Sequence, residues 1–76
     1  MNTIKMNASV IGTRLRMLRG DKTLEIVSAD TGISRSALNM YELGNRIPRD
    51  DVKIRIANYY GSTVDAIFFS GTSHNE

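Results

Sequence analysis

The side chains with the most recognisable chemistry lie in one short stretch, TGISRSALNMYELGNRIPR, at residues 31–49. Four of them recur at helical spacing, with three polar groups and one apolar group: Arg35, Ser36, Asn39 and Met40. At this spacing they project from one side of a helix. The side chains on such a surface can form bidentate hydrogen bonds with a planar group of a ligand. Alternatively, the surface is an ordinary solvated one. From spacing alone, both interpretations stay open.

A helix that exposes these groups could enter the major groove of DNA. Arginine can donate two hydrogen bonds to guanine, asparagine can bind adenine through its amide, and an apolar side chain can contact the methyl group of thymine. The basic residues agree with a polyanionic partner, although charged side chains often only solvate a surface. They form an early cluster and a pair around the only proline, namely Arg14, Arg16, Arg19, Lys22, Arg46 and Arg49.

The composition argues against several other classes of protein. A chain of 76 residues suits one domain and leaves little room for an enclosed active site. It has no cysteine, which fits a reducing cytoplasm, and its single histidine, His74, lies in a polar tail. We find no nucleophile–base pair, no metal-ligand cluster and no apolar run long enough to span a membrane. We therefore expect no catalytic residue, metal or cofactor, and no membrane partner.

Glycines divide the chain into segments with helical periodicity. Helices are predicted at about 9–19, 24–31, 35–43, 50–60 and 64–69, followed or separated by Gly20, Gly32, Gly44 and Gly61. Thr23, Ser34 and Thr63 are predicted to cap helix starts. The predicted fold class is all-α, with a core containing Leu18, Val27, Leu38, Ile56 and Phe68. Only GIS separates the second and third helices, which predicts a sharp angle between them.

From Ile11 to Phe69 the chain resembles the phage repressor/Cro-type (XRE) helix-turn-helix family. The resemblance is carried by IGTRLRMLRG, TLEIVSADTGISRSALNMYELGNRIP and KIRIANYYGSTVDAIFF. It implies a compact five-helix bundle of the lambda-repressor-like type that binds operator DNA, commonly as a homodimer. Small members of the family are often encoded by phages or mobile elements. On this basis we expect a flexible arm at 1–8, the domain at 9–69 and a disordered tail at 70–76.

The resemblance also assigns roles to individual residues. The family's base-reading positions fall on Arg35, Ser36, Asn39 and Met40, and its backbone-contacting positions on Thr23, Leu24, Leu43, Asn45 and Arg46. Arg49, beside Pro48, is a further candidate for a phosphate contact. A structural ion pair of the family matches Arg19 and Glu42. The chain departs from the family at Leu24 and Leu43, since leucine cannot donate a hydrogen bond to a phosphate.

Periodicity predicts an inward apolar stripe on each of the last two helices, made of Val52, Ile56 and Tyr59 on the fourth and of Val64, Ile67 and Phe68 on the fifth. Two apolar residues remain outside these stripes, Ile54 and Phe69. They are either isolated surface residues, which are common, or part of a homodimer interface. The resulting hypothesis is a small cytoplasmic repressor that binds a palindromic operator in double-stranded DNA as a homodimer, without an evident small-molecule effector. The alternative is a protein-interaction module, such as an antitoxin or anti-repressor, and Leu24 and Leu43 favour that alternative.

Overall fold

The computed structural model describes residues 7–69, which form five helices and no strand. They are α1 (Ala8–Arg19), α2 (Leu24–Thr31), α3 (Arg35–Glu42), α4 (Asp50–Tyr59) and α5 (Asp65–Phe69), the last of which is a π-helical turn. The predicted all-α class with five helices is confirmed. The termini at 1–6 and 70–76, with the predicted arm, the predicted tail and His74, lie outside the described residues.

Side-chain caps begin four of the helices. The three predicted caps, Thr23, Ser34 and Thr63, accept hydrogen bonds from the N–H groups of Ile26, Ala37 and Ala66 at 3.2, 3.1 and 3.0 Å. Asn7 caps α1, because its Oδ1 accepts from the N–H groups of Ser9 and Val10 at 3.1 and 3.2 Å. This cap places the start of α1 at Ala8, inside the segment predicted to be a flexible arm.

The core lies where all five helices meet. α1 packs on α3 and α5, and α2 packs on α3 and α4. The buried apolar residues are Ile11, Leu15, Val27, Ile33, Leu38, Tyr41, Ile56, Ala57, Ile67 and Phe68. Four of the five predicted core residues are therefore buried, and no helix buries an apolar side without help from its neighbours.

Leu18 is the exception, and its prediction as a core residue is wrong. Its side chain is 39% exposed, although Ile11 and Leu15 on the same side of α1 are buried. Leu18 lines an open groove between α1 and α5, together with Met17 and Ala66. The periodicity of α1 continues to its last turn, but the packing against α5 does not enclose that turn.

The predicted orientation of the last two helices is confirmed in part. α4 buries Ile56 as predicted, but it also buries Lys53 and Ala57, and Val52 and Tyr59 of the predicted stripe are only partly buried. α5 buries Ile67 and Phe68 as predicted. Its π-helical turn has a wider repeat than an α-helix, so periodicity of 3.6 residues misplaces the neighbouring Phe69.

Phe69 consequently packs partly against the core instead of standing clear of it. Its ring lies 5.4 Å from the ammonium group of the buried Lys53. Lys53 keeps a charged partner, since its Nζ lies 3.1 Å from Oδ1 of the exposed Asp50.

Candidate nucleic-acid interface

A tight turn sets the direction of α3 relative to α2. Gly32 ends α2 with φ 76°, a left-handed conformation that residues with a Cβ disfavour, and its N–H donates to the carbonyl of Ser28. Thr31 is buried and bonded on both sides: its hydroxyl donates to the Val27 carbonyl at 2.7 Å and accepts from the Ile33 N–H at 3.2 Å. The turn is therefore tied to the core as well as to both helices.

α3 has one buried side and one exposed side, as its sequence predicts. Ile33 just before the helix, with Leu38 and Tyr41 within it, is at most 7% exposed. Arg35, Ser36 and Asn39 are exposed on the opposite side, and the three line one shallow depression with Leu24 of α2. We call the exposed set Arg35, Ser36 and Asn39 the recognition face.

The remaining predicted base reader, Met40, differs from the recognition face. Its side chain is partly buried, whereas Arg35, Ser36 and Asn39 are exposed. Met40 also ends the helix through its backbone, because its carbonyl accepts from the Asn45 N–H at 2.9 Å. The structure therefore brings three of the four predicted readers to an open surface and places the fourth at its edge.

Arg35 forms an ion pair with Glu25, a residue to which the sequence pattern assigns no role. Its Nη1 lies 3.1 Å from Oε2 of Glu25 in the first turn of α2, and the two side chains are 62% and 66% exposed. The pair crosses from α2 to α3, and it depends on a turn geometry that sequence spacing does not provide.

The predicted backbone contacts lie on both sides of the recognition face. Thr23 stands at the start of α2, where its hydroxyl oxygen already accepts the capping bond from Ile26. Asn45 and Arg46 are exposed in the loop after α3, and no carboxylate among residues 7–69 lies within ion-pairing distance of Arg46. Arg49 is exposed too, but its Nε lies 3.0 Å from Oδ1 of Asp51. Arg46 is thus the better placed of the two loop arginines to contact an added anion.

Burial of Pro48 anchors this loop to the domain. At the other end of the loop, Gly44 adopts φ 77° and its N–H donates to the carbonyl of Tyr41. A Cβ on Gly44 would lie 3.1 Å from Cα of Ser9 in α1. Both ends of the loop are therefore constrained, which limits how far Arg46 can move from α3.

The predicted pair of Arg19 and Glu42 lies behind α3, where it joins α1 to the end of α3. Two parallel bonds connect the groups, Nε to Oε2 at 2.7 Å and Nη2 to Oε1 at 2.9 Å. The side chains are only 14% and 9% exposed. Nη1 of Arg19 also donates to the Lys22 carbonyl at 2.7 Å, and the hydrogen bond to Glu42 raises the pKa of Arg19.

The rest of the early basic cluster is also engaged within the domain. Arg14 donates to the carbonyl of Ile67 at 2.9 Å, and Arg16 donates to that of Gly20 at 3.2 Å. Nζ of Lys22 donates to the hydroxyl of Tyr59 at 3.0 Å, which raises the pKa of Lys22. The four residues of the early cluster are therefore bonded within the domain, whereas Arg35 on α3 and Arg46 and Arg49 in the loop after it have exposed side chains.

Tyr59 links α4 to α2 and supports the helix that precedes the turn. Its hydroxyl donates to Oδ2 of Asp30 at 2.6 Å. Nη1 of Arg55 donates to the carbonyl of Thr31 at 3.4 Å, at the end of α2. No short motif predicts these contacts, since they join residues that are more than 20 positions apart.

One of three comparisons with known proteins finds a match, and that match agrees with this geometry. No curated protein and no solved structure matches the chain. A protein-family model described as "Helix-turn-helix domain" matches residues 10–67, which covers α1 to α4 almost entirely and most of α5. Within the described part of the chain, no helix is long and apolar enough to cross a membrane. The match spans well over half of the sequence and includes the α2–turn–α3 unit, so the chain belongs to the helix-turn-helix domain family.

Proposed function

We propose that this chain is a sequence-specific DNA-binding transcriptional regulator, a small repressor that binds a palindromic operator as a homodimer. The observation that carries the proposal is the recognition face. Its three hydrogen-bonding side chains lie at the start of a helix whose other side is buried, behind a turn tied to the core. In helix-turn-helix proteins, the second helix of the unit contacts base edges near its N-terminus.

In this proposal the base-reading residues are Arg35, Ser36, Asn39 and Met40, with Met40 at the edge as an apolar contact. Thr23, Asn45, Arg46 and Arg49 contact the phosphates on both sides. Arg46 contributes most among the loop residues, because it is exposed and no carboxylate among residues 7–69 has to be displaced from it, unlike Arg49. Phosphate contacts position a protein on DNA, and contacts with base edges provide specificity.

The experiment compares Arg35→Ala with Arg46→Ala on the duplex that the wild-type chain selects from a random pool and on a scrambled duplex. Arg35→Ala should cost about 1–3 kcal/mol on the selected duplex and relax the preference at one base pair per half-site. Arg46→Ala should weaken binding to both duplexes alike and reduce the slope of log K against log salt by about 1 for each phosphate that Arg46 neutralises. Equal weakening on both duplexes for Arg35→Ala would make that residue a phosphate contact only.

A protein-interaction module remains the second candidate, because apolar side chains flank α3. Leu43, just after the helix, is 64% exposed, and Ile26 of α2 is 48% exposed. Neither side chain can donate a hydrogen bond to a phosphate, and exposed apolar side chains can pack against a partner protein. If neither arginine substitution changes DNA binding and Leu43→Ser abolishes capture of a partner protein, this second candidate replaces the first.

A further inference from the structure

One carboxylate lies beside the recognition face, although DNA is a polyanion. Glu25, in the first turn of α2, pairs with Arg35, the first residue of α3, at 3.1 Å. Both side chains are about two-thirds exposed. Ion pairs with this exposure contribute little to folding stability, and a carboxylate near phosphates opposes binding. As the acidic residue in the first turn, Glu25 also interacts favourably with the dipole of α2, as Asp51 does in α4. For DNA recognition, the consequence that remains for Glu25 is its effect on Arg35.

An unpaired arginine on a DNA-binding surface can bind any phosphate. Its side chain is long and has many rotamers, and any phosphate oxygen accepts its hydrogen bonds equally well. The bond to Glu25 uses Nη1 and restricts the guanidinium to a position between the two helices. It leaves Nε and Nη2 unused, and two donors are what the O6 and N7 atoms of guanine require.

We propose that Glu25 is a positioning residue that orients Arg35 toward a single base pair and keeps its guanidinium away from phosphates. This inference rests on the proposed function, since it concerns how the recognition face discriminates between bases. Glu25 acts through Arg35 and need not contact DNA itself. Its negative charge repels phosphates and so lowers the affinity for DNA of any sequence. The orientation that it gives to Arg35 enlarges the difference in affinity between the correct base pair and the others.

The test selects duplexes from a random pool with the wild-type chain, Arg35→Ala, Glu25→Ala and the double variant. The base pair that loses its preference with Arg35→Ala is the one that Arg35 reads. Glu25→Ala should relax the preference at that same base pair by about tenfold, within the range of one bidentate contact. Its affinity for scrambled DNA should rise a few-fold. The double variant should relax the preference no further than Arg35→Ala does.

Two further variants separate orientation from charge. Glu25→Gln keeps an acceptor oxygen at the same reach, so it should retain more of the preference than Glu25→Ala. Asp51→Ala is the matched control, because Asp51 also pairs with an exposed arginine, Arg49, which the proposed function assigns to phosphates. It should raise the affinity for all sequences alike and leave every base preference unchanged. Melting temperatures should agree across the set, since both ion pairs are exposed.

Three results would overturn the inference. If Glu25→Ala relaxes a different base pair, Glu25 reads a base itself. If it only raises the affinity for all sequences, as Asp51→Ala should, Glu25 merely repels phosphates. If it relaxes nothing and changes no affinity, the pair has no role in recognition. Failure of the proposed function gives a fourth, distinct result, in which the wild-type chain selects no sequence from the pool. The inference about Glu25 would then fail together with the proposed function.

Discussion

At the scale of single residues, the ion pair of Arg19 and Glu42 shows how burial changes the importance of a contact. Its geometry is bidentate and its groups are mostly shielded from water, whereas the pairs Glu25–Arg35 and Arg49–Asp51 are more than half exposed. Removing one charge from a largely shielded pair leaves the other without its partner in a region that water reaches only in part. The pair therefore secures the end of α3 to α1, behind the recognition face.

We expect Glu42→Gln to lower the free energy of unfolding by about 3 kcal/mol, because Arg19 would keep its charge and lose its partner. Denaturation with urea, followed by circular dichroism, measures the change. The control Asp51→Asn breaks an exposed pair of similar length and should cost under about 1 kcal/mol. A Glu42→Gln variant as stable as the control would contradict a structural role for the pair of Arg19 and Glu42.

The raised pKa of Tyr60 predicts that the stability of the fold declines at alkaline pH. Burial raises the pKa of its hydroxyl from 10.0 to about 12. The folded state therefore retains the proton more strongly than the unfolded state, so this contribution is fully present below the unfolded pKa and disappears as pH rises from about 10 to about 12. The raised pKa of Lys22 acts in the same direction.

We expect the free energy of unfolding to fall over this pH range and to fall less steeply in Tyr60→Phe, which has no proton to release. Denaturant titrations on both sides of pH 10 measure the slopes for both chains. Absorbance of the ionised phenol, followed in the folded protein, gives an independent reading of the pKa. Identical alkaline slopes for the two chains would contradict the effect of burial on Tyr60.

At the scale of helices, α1 passes very close to the end of α3. Gly12 is buried there, and a Cβ at this position would lie 2.8 Å from the carbonyl oxygen of Tyr41. The absence of a side chain allows the two backbones to meet, and this contact also brings Arg19 to Glu42. Sequence alone did not distinguish Gly12 from other residues of α1, because a glycine inside a helix reveals its role only when its neighbour is known.

Alanine normally stabilises a helix interior relative to glycine by about 1 kcal/mol. We expect the opposite for Gly12→Ala, with a net loss of about 1–3 kcal/mol, because backbone atoms of α3 must move to admit the methyl group. Thermal unfolding measures the loss. Thr13→Ala, at the next and exposed position of α1, should change stability by no more than about 0.5 kcal/mol. A stabilised Gly12→Ala would show that α1 and α3 lie farther apart.

Two leucines test the orientation of α3 with the same substitution. Leu38 is 5% exposed within α3, and Leu43, which follows the helix, is 64% exposed. We expect Leu38→Ala to cost about 2–5 kcal/mol, because it leaves a cavity in a domain of small total stability. Leu43→Ala should cost much less, since its side chain is already in water. If the two variants melt alike, the helix is rotated and its recognition face is misassigned.

At the scale of the whole molecule, the proposed homodimer must place two recognition helices about 34 Å apart on DNA. Ile54 on α4 is 54% exposed and remains a candidate for the interface. Phe69 is a weaker candidate than the sequence indicated, because its ring packs partly against the core and lies near Lys53. Replacing Phe69 would therefore disturb folding as well as any interface, and Ile54 gives the cleaner test.

We expect Ile54→Lys to weaken self-association and to leave the melting temperature of the monomer nearly unchanged, because a charge cannot be buried in an apolar interface without a partner. Sedimentation equilibrium measures the association. The control is Met17→Lys, another exposed apolar residue at 76%, on α1 beside the α1–α5 groove. If Met17→Lys dissociates the protein and Ile54→Lys does not, the copies associate through that groove. A wild-type chain that stays monomeric at high concentration would contradict the homodimer.

The sequence by itself determined the five helices and three of their caps. Four glycines with positive φ and three capping hydroxyls lie where local chemistry predicts them, because left-handed turns and unpaired N–H groups concern neighbouring residues. Periodicity also separated the buried side of α3, with Leu38 and Tyr41, from its exposed side. The family resemblance drew on the same local pattern, and the family match agrees with it.

Only the tertiary structure decided features that depend on distant neighbours. Leu18 follows the periodicity of α1 but faces an open groove, and Lys53 is buried although it carries a charge. Gly12 matters because α3 passes beside it, and Glu25 matters because the turn brings Arg35 to it. Periodicity states which side of a helix is apolar, whereas the packing of other helices determines how much of that side is enclosed and which charges meet.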